Sequence, residues 1–197
     1  MLQKAGRELA RRRIRVLAHA CDVRDPQSVK ALTAAIKKEF RRVDILINNA
    51  GISQPSLPVE TLDYETWKDV IDTNLNGMFL VTHEILPLMR RGGTVVNNLS
   101  LAATRVFPGL SAYDASKFGG LGFTDTLREE LRPKGIRVIA LIPGATDTDI
   151  WDTLWPDAPR QKMMSTETIA QALVCALHLP ENSTVEEIKL QPTIGTL

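Results

Sequence analysis

The sequence has little of what marks several classes of protein. It contains two cysteines, Cys21 and Cys175, among 197 residues, which argues against a disulfide framework or a cysteine metal site. Its three histidines, His19, His83 and His178, stand alone in the sequence, so we predict no metal site. No run of about 18 apolar residues occurs, and the basic N-terminus has no apolar segment behind it. We therefore expect a cytoplasmic protein without a signal peptide or a membrane contact.

An excess of charge of one sign is also missing. Lysine and arginine together number 24 against 23 acidic residues, which leaves a formal net charge of +1. The basic clusters at 11–13, 41–42 and 90–91 are short and scattered. Because proteins that bind nucleic acid concentrate basic residues on one face, we predict no nucleic-acid partner.

What the sequence does have is a regular alternation of strand-like and helix-like segments. The predicted strands cover 14–21, 43–47, 94–99, 135–142 and 187–190, and the predicted helices cover 2–13, 26–40, 63–91, 111–132 and 166–179. This alternation is typical of a parallel sheet with helices on both faces. The continuous apolar run at 43–47 predicts a strand that is buried on both faces. No linker or internal repeat divides the chain, so residues 1–197 are expected to form one three-layered α/β domain.

Ser100, Tyr113 and Lys117 form the arrangement that most suggests chemistry. Ser100 falls where a predicted strand ends, and Tyr113 and Lys117 are four residues apart near the start of a predicted helix. Residues at this spacing lie on one helix face, with Cβ atoms about 5–6 Å apart. A nearby ammonium favours the ionised form of a phenol. The pattern therefore predicts a Tyr113 pKa shifted toward neutrality and a tyrosine that acts as general acid and base.

The same spacing occurs a second time, at Tyr64 and Lys68. That pair lies on another predicted helix, and no predicted strand ends nearby. We therefore interpret Tyr64 and Lys68 as residues without a catalytic role.

Several motifs together resemble the short-chain dehydrogenase/reductase family, from about residue 14 to the C-terminus. They are Ser100, Tyr113-Asp-Ala-Ser-Lys117, Asn48-Asn49-Ala50-Gly51, Asn74 and Pro143-Gly144. The resemblance implies a Rossmann-like, doubly wound sheet and a bound nicotinamide nucleotide, NAD or NADP. It also implies a small-molecule substrate, with hydride transfer between the cofactor and a ketone, aldehyde or alcohol.

The resemblance has one gap, at the front of the chain. The family's glycine-rich phosphate loop, its first two strands and its first helix have no counterpart before Ile14. In the family's strand order, the two absent strands lie between the strands at 14–21 and 43–47. We expect either a piece of a longer chain, which we favour, or a fold in which these two strands pack directly together. The residues that distinguish NAD from NADP belong to the absent part.

The resemblance also implies a catalytic role for each matching residue. Tyr113 is expected to exchange a proton with the substrate oxygen, which Ser100 holds by a hydrogen bond. Lys117 is expected to lower the Tyr113 pKa and to bind the nicotinamide ribose. Asn74 and Gly77 are poor helix formers, so we expect a kink whose freed carbonyl binds a water molecule in a proton relay. A Ser100 that only caps a turn and an Asn74 that is only a helix irregularity are the alternatives.

The implied cofactor contacts fall into three groups. They are Asp22 and Val23 at the adenine, Asn49, Ala50 and Gly51 along the adenine ribose, and Pro143, Gly144, Thr146 and Thr148 at the carboxamide. An Asp22 that caps a strand end, and asparagines that bind neighbouring strands, are the alternatives.

The resemblance implies a substrate lid and an oligomer as well. The segment 145–165 would be the lid, and its Trp151 and Trp155 either contact an apolar or ring-shaped substrate or pack internally. The helices at 63–91 and 111–132 are where relatives pair subunits, which implies a homodimer or homotetramer.

Two other classes of function stay open. One is a catalytically silent relative, or a fragment, that does not bind the cofactor. The other is a different doubly wound protein such as a methyltransferase, which gives no reason for a tyrosine beside Lys117. Nucleotide binding distinguishes these classes.

Overall fold

The computed structural model describes residues 2–195, which contain a four-stranded parallel sheet in the order β1-β2-β3-β4. The strands are β1 (Ile45–Asn48), β2 (Thr94–Asn98), β3 (Arg137–Pro143) and β4 (Glu187–Leu190). The helices are α1 (Leu2–Arg11), α2 (Pro26–Glu39), α3 (Tyr64–Ile71), α4 (Gly77–Ile85), α5 (Ser111–Leu131), α6 (Trp151–Leu154) and α7 (Thr166–Leu177).

Helices cover the sheet on both faces. On one face, Val95 of β2 packs with Ile85 of α4 and Leu127 of α5. On the other face, Val96 of β2 packs with Leu173 of α7. Because adjacent strand residues point to opposite faces, apolar residues along β2 serve both clusters. The predicted three-layered, doubly wound α/β fold is confirmed.

The helix predicted at 63–91 is interrupted. A π-helical turn, Asp72–Asn76, joins α3 to α4, and a short 3-10 turn, Leu86–Leu88, follows α4. The expected irregularity near Asn74 is therefore present, as a widened turn inside an otherwise continuous helical segment.

The prediction of a strand at 14–21 is wrong. This segment has no regular secondary structure and pairs with no strand among residues 2–195. Its Arg15 side chain bonds Glu39 at the end of α2 at 2.8 Å. The alternative in which this segment packs directly on the strand at 43–47 is contradicted too, because β1 pairs with β2 alone in the described part of the chain. A segment with a high propensity for strand forms one only where a neighbouring strand is available to pair with it.

Strand β1 is covered on one face, contrary to the expectation of burial on both. Leu46 and Asn48 are buried, whereas Ile45 and Ile47 are each 47% exposed. Ile47 is in register with Val96, which places it on the face that α7 covers. The apolar cluster around α7 takes described residues from β2, β3 and β4 and none from β1, so α7 leaves this face of β1 open.

Within residues 2–195, no helix has the length and apolarity that crossing a membrane requires. Both Cys21 and Cys175 are free thiols. No group of three or more histidine, cysteine or acidic side chains in this range is arranged to hold a metal ion.

Candidate active site

The carboxyl ends of three neighbouring strands meet at one cavity. The loops after β1, β2 and β3 contribute Asn49, Ser100 and Gly144, and α5 contributes Tyr113 and Lys117. The cavity has a volume of about 1130 Å³. Ligands of parallel α/β sheets bind at this edge. The three side chains that the sequence analysis groups together therefore share one cleft.

The Ser100 side chain interacts with the phenol of Tyr113 and lowers its pKa. Ser100 follows β2, and its Oγ also accepts a hydrogen bond from the backbone N–H of Ala102 at 3.2 Å. It therefore caps a turn while it contacts the tyrosine. Tyr113 is 8% exposed, and burial raises the pKa of its phenol. The interaction with Ser100 opposes this rise in pKa, and the charge of Asp114 adds to it.

Lys117 lies over the ring of Tyr113. Its Nζ is 5.4 Å from the ring centroid and donates a hydrogen bond to the backbone carbonyl of Asn98 at 3.2 Å. Burial lowers the pKa of Lys117 to about 8. The expected downward shift of the Tyr113 pKa is contradicted here, because desolvation disfavours the charged form of each group and outweighs their proximity.

Asn74 braces the loop after β1 against α5. It is 1% exposed, its Oδ1 accepts from the Ile52 backbone N–H at 2.8 Å, and its Nδ2 donates to Ser116 Oγ at 3.0 Å. Asn76 differs in every respect: it is exposed and donates to Asp72 at 2.7 Å. The buried amide of the π-helical turn is therefore the one that contacts the helix carrying Tyr113.

Asn49 and Gly51 line the cavity. Asn49 Oδ1 accepts a hydrogen bond from Asn98 Nδ2 at 2.6 Å, and the buried Asn98 Oδ1 has no partner among the described residues. A Cβ on Gly51 would lie 3.4 Å from Asn74 Oδ1, which is an ordinary contact distance, so the space at this position does not require glycine. Ala50 is exposed and does not line the cavity. Asn49 thus binds a neighbouring strand, as its alternative role predicts.

Asp22 and Val23 lie outside the cavity lining. The Asp22 carboxylate accepts a hydrogen bond from Arg24 Nη2 at 2.9 Å, and Arg24 also pairs with Asp69 at 3.0 Å. Val23 packs closely on α4, because a Cβ on Gly77 would lie 2.6 Å from Val23 Cγ2. The adenine contact of Asp22 and Val23 stays a prediction.

The turn after β3 forms another wall of the cavity. The residues of the predicted carboxamide turn that line it are Pro143, Gly144, Thr146 and Thr148. The Thr146 carbonyl accepts from Trp151 Nε1 at 2.8 Å, and the Thr148 carbonyl accepts from Arg160 at 2.7 Å. The start and the middle of the segment 145–165 are therefore tied together over the cavity.

The second pair of tyrosine and lysine lies elsewhere. Tyr64 is 72% exposed, and Lys68 donates a hydrogen bond to Asp72 at 2.6 Å. Neither residue lines the cavity. This placement agrees with the interpretation that the pair has no catalytic role.

Gln54 supports the site from outside the cavity lining, and the sequence gives no reason to select it. It is 0% exposed, and its Oε1 accepts from the backbone N–H groups of Ala112 at 2.8 Å and Tyr113 at 3.2 Å. Its Nε2 donates to the Gly109 carbonyl at 3.0 Å. Because these partners are 55 to 59 residues away in the sequence, no local pattern reveals them.

Comparison with known proteins places this geometry in context. A family model described as short chain dehydrogenase matches residues 1–159. The chain is 32% identical to sulfoacetaldehyde reductase 2 of Chromohalobacter salexigens, over 98% of the chain and 80% of that protein. It is 41% identical to the 3beta-hydroxysteroid dehydrogenase of Mediterraneibacter gnavus, over 66% of the chain and 48% of that protein.

A solved structure is also similar over nearly the whole chain. It is the alcohol dehydrogenase of Thermococcus sibiricus in complex with 5-hydroxy-NADP, with a TM-score of 0.89 and 28% identity. The similarity covers 98% of the chain and 81% of that protein. The chain thus shares its fold with an enzyme whose structure holds a nicotinamide nucleotide.

Proposed function

Because the chain belongs to the short chain dehydrogenase family, we propose that it interconverts a ketone or aldehyde and an alcohol by hydride transfer with NAD or NADP. One observation carries this proposal: Ser100, Tyr113 and Lys117 share a single cavity at the carboxyl edge of the sheet. A different doubly wound protein such as a methyltransferase gives no reason for these three side chains to converge.

The residues around the cavity fit a nicotinamide nucleotide. Asn98 Oδ1 is a buried acceptor without a partner among the described residues, and Lys117 uses one of its three donors on the Asn98 carbonyl. We propose that Lys117 binds the nicotinamide ribose. The proposed partners of the other cofactor groups are Pro143, Gly144, Thr146 and Thr148 for the carboxamide, Asn49, Ala50 and Gly51 for the adenine ribose, and Asp22 and Val23 for the adenine. When bound, the nucleotide supplies or accepts the hydride.

The proton is handled by the chain's own residues. Ser100 donates a hydrogen bond to the substrate oxygen and so fixes its position beside Tyr113. Because burial raises the pKa of Tyr113, the phenol carries its proton at neutral pH and is ready to donate it during carbonyl reduction. In the reverse direction the phenolate of Tyr113 accepts the proton, and the interaction with Ser100, which lowers the pKa of the phenol, favours that phenolate. We propose that the π-helical turn at Asn74 binds a water molecule that relays protons toward Lys117.

Nucleotide titration tests this function against its alternatives. Fluorescence of Trp151 and Trp155, which line the cavity, is followed while NADPH or NADH is added, and energy transfer to the reduced nicotinamide is expected. Transfer with one nucleotide and not the other identifies the preferred cofactor. Binding of neither nucleotide would contradict the proposal and favour the catalytically silent relative.

We also propose a homodimer or homotetramer that forms through α4 and α5. Phe79 on α4 is 50% exposed and Phe118 on α5 is 42% exposed, and burying such aromatic surface stabilises an interface. Light scattering on the purified protein is expected to give a mass of two or four chains. A monomer at micromolar concentration would contradict this assembly.

A further inference from the structure

The part of the cavity beyond Ser100 and Tyr113 is walled by apolar side chains. They come from the loop before α5 and from the lid, and they are Phe107, Leu110, Ile150, Trp151, Leu154 and Trp155. Phe107, Leu110, Ile150 and Leu154 also pack in one cluster with Tyr113. A substrate whose carbonyl oxygen reaches the phenol therefore places its substituents against hydrocarbon and aromatic rings.

The charges around this wall disfavour an anion. Asp147 and Asp149 line the cavity, and Lys117 is the one cation among its described lining residues. Arg160 of the lid is already paired with Asp147 at 2.9 Å and with Asp152 at 2.6 Å. Among the described lining residues, Lys117 is thus the one cation that a substrate anion could contact.

We infer that the substrate is a neutral carbonyl compound that carries an apolar, ring-sized group, and that anionic carbonyl compounds are excluded. This inference rests on the proposed function and specifies its substrate class. A carboxylate or sulfonate that lay against the apolar wall would lose its hydration without gaining an ion pair there, because Lys117, the one cation among the described lining residues, lies over the ring of Tyr113, and such a loss is unfavourable. The two tryptophans of the lid then contact substrate and do more than pack internally.

A pair of compounds that differ in charge alone tests the inference. Methyl 4-acetylbenzoate and 4-acetylbenzoate share the ring and the ketone, and the second carries a carboxylate. Their binding is measured by quenching of Trp151 and Trp155 fluorescence in a Trp67→Phe variant, without nucleotide. We expect the ester to bind at least about tenfold more tightly than the acid. Equal affinities, tighter binding of the acid, or no binding of the ester would overturn the inference.

Removing the charge of Asp149, one of the two carboxylates that line the cavity, sharpens the test. Asp149→Asn is expected to reduce the ratio of the two affinities by about two- to threefold, because an exposed charge acts weakly through water. Asp157→Asn removes an exposed lid carboxylate that does not line the cavity and is expected to leave the ratio unchanged. If both variants changed the ratio of the two affinities equally, the proposal that the Asp149 charge disfavours the anion would be overturned. These binding measurements need no turnover, so they can contradict the inference without bearing on the proposed function. The proposed function is contradicted if the nucleotide-loaded enzyme reduces neither compound.

A second observation, independent of the cavity wall, concerns the start of α5. The first backbone N–H groups of a helix have no acceptor within the helix, and Leu110, which precedes α5, provides no side-chain cap. The buried Gln54 takes over this task from a distant loop, since its Oε1 accepts from Ala112 and Tyr113. Its Nε2 holds the Gly109 carbonyl, where the backbone turns with a φ of +87°.

We propose that Gln54 is a positioning residue for Tyr113, and this role also rests on the proposed function. The side-chain amide fixes the backbone N–H of the tyrosine itself and the turn that leads into its helix. The loop that carries Gln54 is fixed in turn by Asn74, which binds both backbone groups of Ile52. The loop after β1 therefore fixes the position of the Tyr113 phenol relative to Ser100.

Gln54→Met keeps the length of the side chain and removes both amide functions. Its kcat for methyl 4-acetylbenzoate is expected to fall at least about tenfold while KM stays within about twofold, as expected for a misplaced proton donor. Asp63→Ala is the matched control, because Asp63 caps α3 through the Thr66 N–H at 2.8 Å and does not line the cavity. It is expected to lose a helix cap and keep its kcat. An unchanged kcat in Gln54→Met would overturn the role, and so would a wild-type enzyme without turnover.

Gln54→Glu covers the case in which the methionine variant does not fold. The carboxylate still accepts from both N–H groups, and it adds a negative charge beside Tyr113. Because that charge disfavours the phenolate, the pH profile of alcohol oxidation is expected to move to higher pH. An unmoved profile would contradict the contact between Gln54 and the catalytic tyrosine.

Discussion

The chain carries the same tyrosine and lysine spacing in two places, and the two places have opposite surroundings. Tyr113 is 8% exposed and Tyr64 is 72% exposed. Burial lowers the pKa of Lys117 to about 8, whereas the Asp72 carboxylate raises the pKa of Lys68. The spacing fixes only that the two side chains share a helix face. Desolvation and the neighbouring strand end distinguish the buried pair, to which we assign the proposed proton transfer.

Two asparagine side chains in one helical turn, Asn74 and Asn76, show the same contrast between a buried and an exposed position. Asn74 is buried against Ile52 and Ser116, and Asn76 is exposed and bonded to Asp72, the carboxylate that also pairs with Lys68. One face of the turn therefore supports the buried pair, and the other supports the exposed pair. Changes made in parallel on the two faces test the comparison.

The largest difference is expected between the two tyrosines. Tyr113→Phe removes the proton donor and is expected to lower carbonyl reduction about a thousandfold, while nucleotide affinity stays nearly unchanged. Tyr64→Phe is expected to retain the wild-type rate. Initial rates of reduction of methyl 4-acetylbenzoate, together with nucleotide titrations, measure both. Comparable rates in the Tyr113 variant and the wild type would remove Tyr113 from the mechanism.

Removing the hydroxyl of Ser100 is expected to have the next largest effect. Ser100→Ala loses the donor to the substrate oxygen, and kcat is expected to fall about 100-fold. The interaction with Ser100 lowers the pKa of Tyr113, so without it that pKa rises further. The pH profile of alcohol oxidation, which requires the phenolate, is therefore expected to shift to higher pH. A fall in kcat without any shift would show that the two hydroxyls do not interact.

The two asparagines are expected to differ in stability. Asn74→Ala leaves both backbone groups of Ile52 without their side-chain partners, and the free energy of unfolding is expected to fall by about 2–3 kcal/mol. Asn76→Ala is expected to change it by less than about 0.5 kcal/mol, as for most surface substitutions. Urea denaturation measures both values. A loss in Asn76→Ala as large as that in Asn74→Ala would contradict the assignment of the two faces.

The smallest expected effect is a dependence of stability on pH. The pKa of Lys117 is about 8 in the folded chain, against 10.5 for an unperturbed lysine, so the unfolded chain binds more protons between these values. The free energy of unfolding is therefore expected to rise with pH in this window, by about 1 kcal/mol per pH unit.

Lys117→Met is expected to lose this rise. Lys68→Met is the control: the pKa of Lys68 is raised above its ordinary 10.5, so its contribution to stability does not change between pH 8 and pH 9.5 and this variant keeps the rise. Urea denaturation at pH 8 and pH 9.5 distinguishes the two. A rise of equal size in the wild type and in Lys117→Met would show that Lys117 is not the group that titrates.

The features that the sequence predicts well are those with a local cause. Valines and isoleucines mark β2 and β3, and the Pro-Gly break before Ser111 marks the start of α5, so the position of Ser100 relative to Tyr113 follows from neighbouring residues. The poor helix formers Asn74 and Gly77 likewise predict the irregular turn between α3 and α4.

Features that depend on distant partners are not predictable in this way. The segment 14–21 has the composition of a strand, but no described strand lies beside it. Ile45 and Ile47 are exposed because α7 stops short of β1, which no local pattern encodes. The direction of the Tyr113 pKa shift follows from the depth of burial, and the hydrogen bonds of Gln54 follow from loop packing. Each of these outcomes is set by tertiary contacts.

Transfer of a labelled hydride tests most directly the claim that this cavity performs carbonyl reduction. The protein is incubated with methyl 4-acetylbenzoate and with NADPH or NADH that carries deuterium on the transferable position of its ring, and the product is examined by mass spectrometry. We expect an alcohol with one deuterium at the carbinol carbon, formed by the wild type and by Tyr64→Phe but not in measurable amount by Tyr113→Phe. Nucleotide binding without any deuterated alcohol, or equal labelling by all three proteins, would contradict the claim.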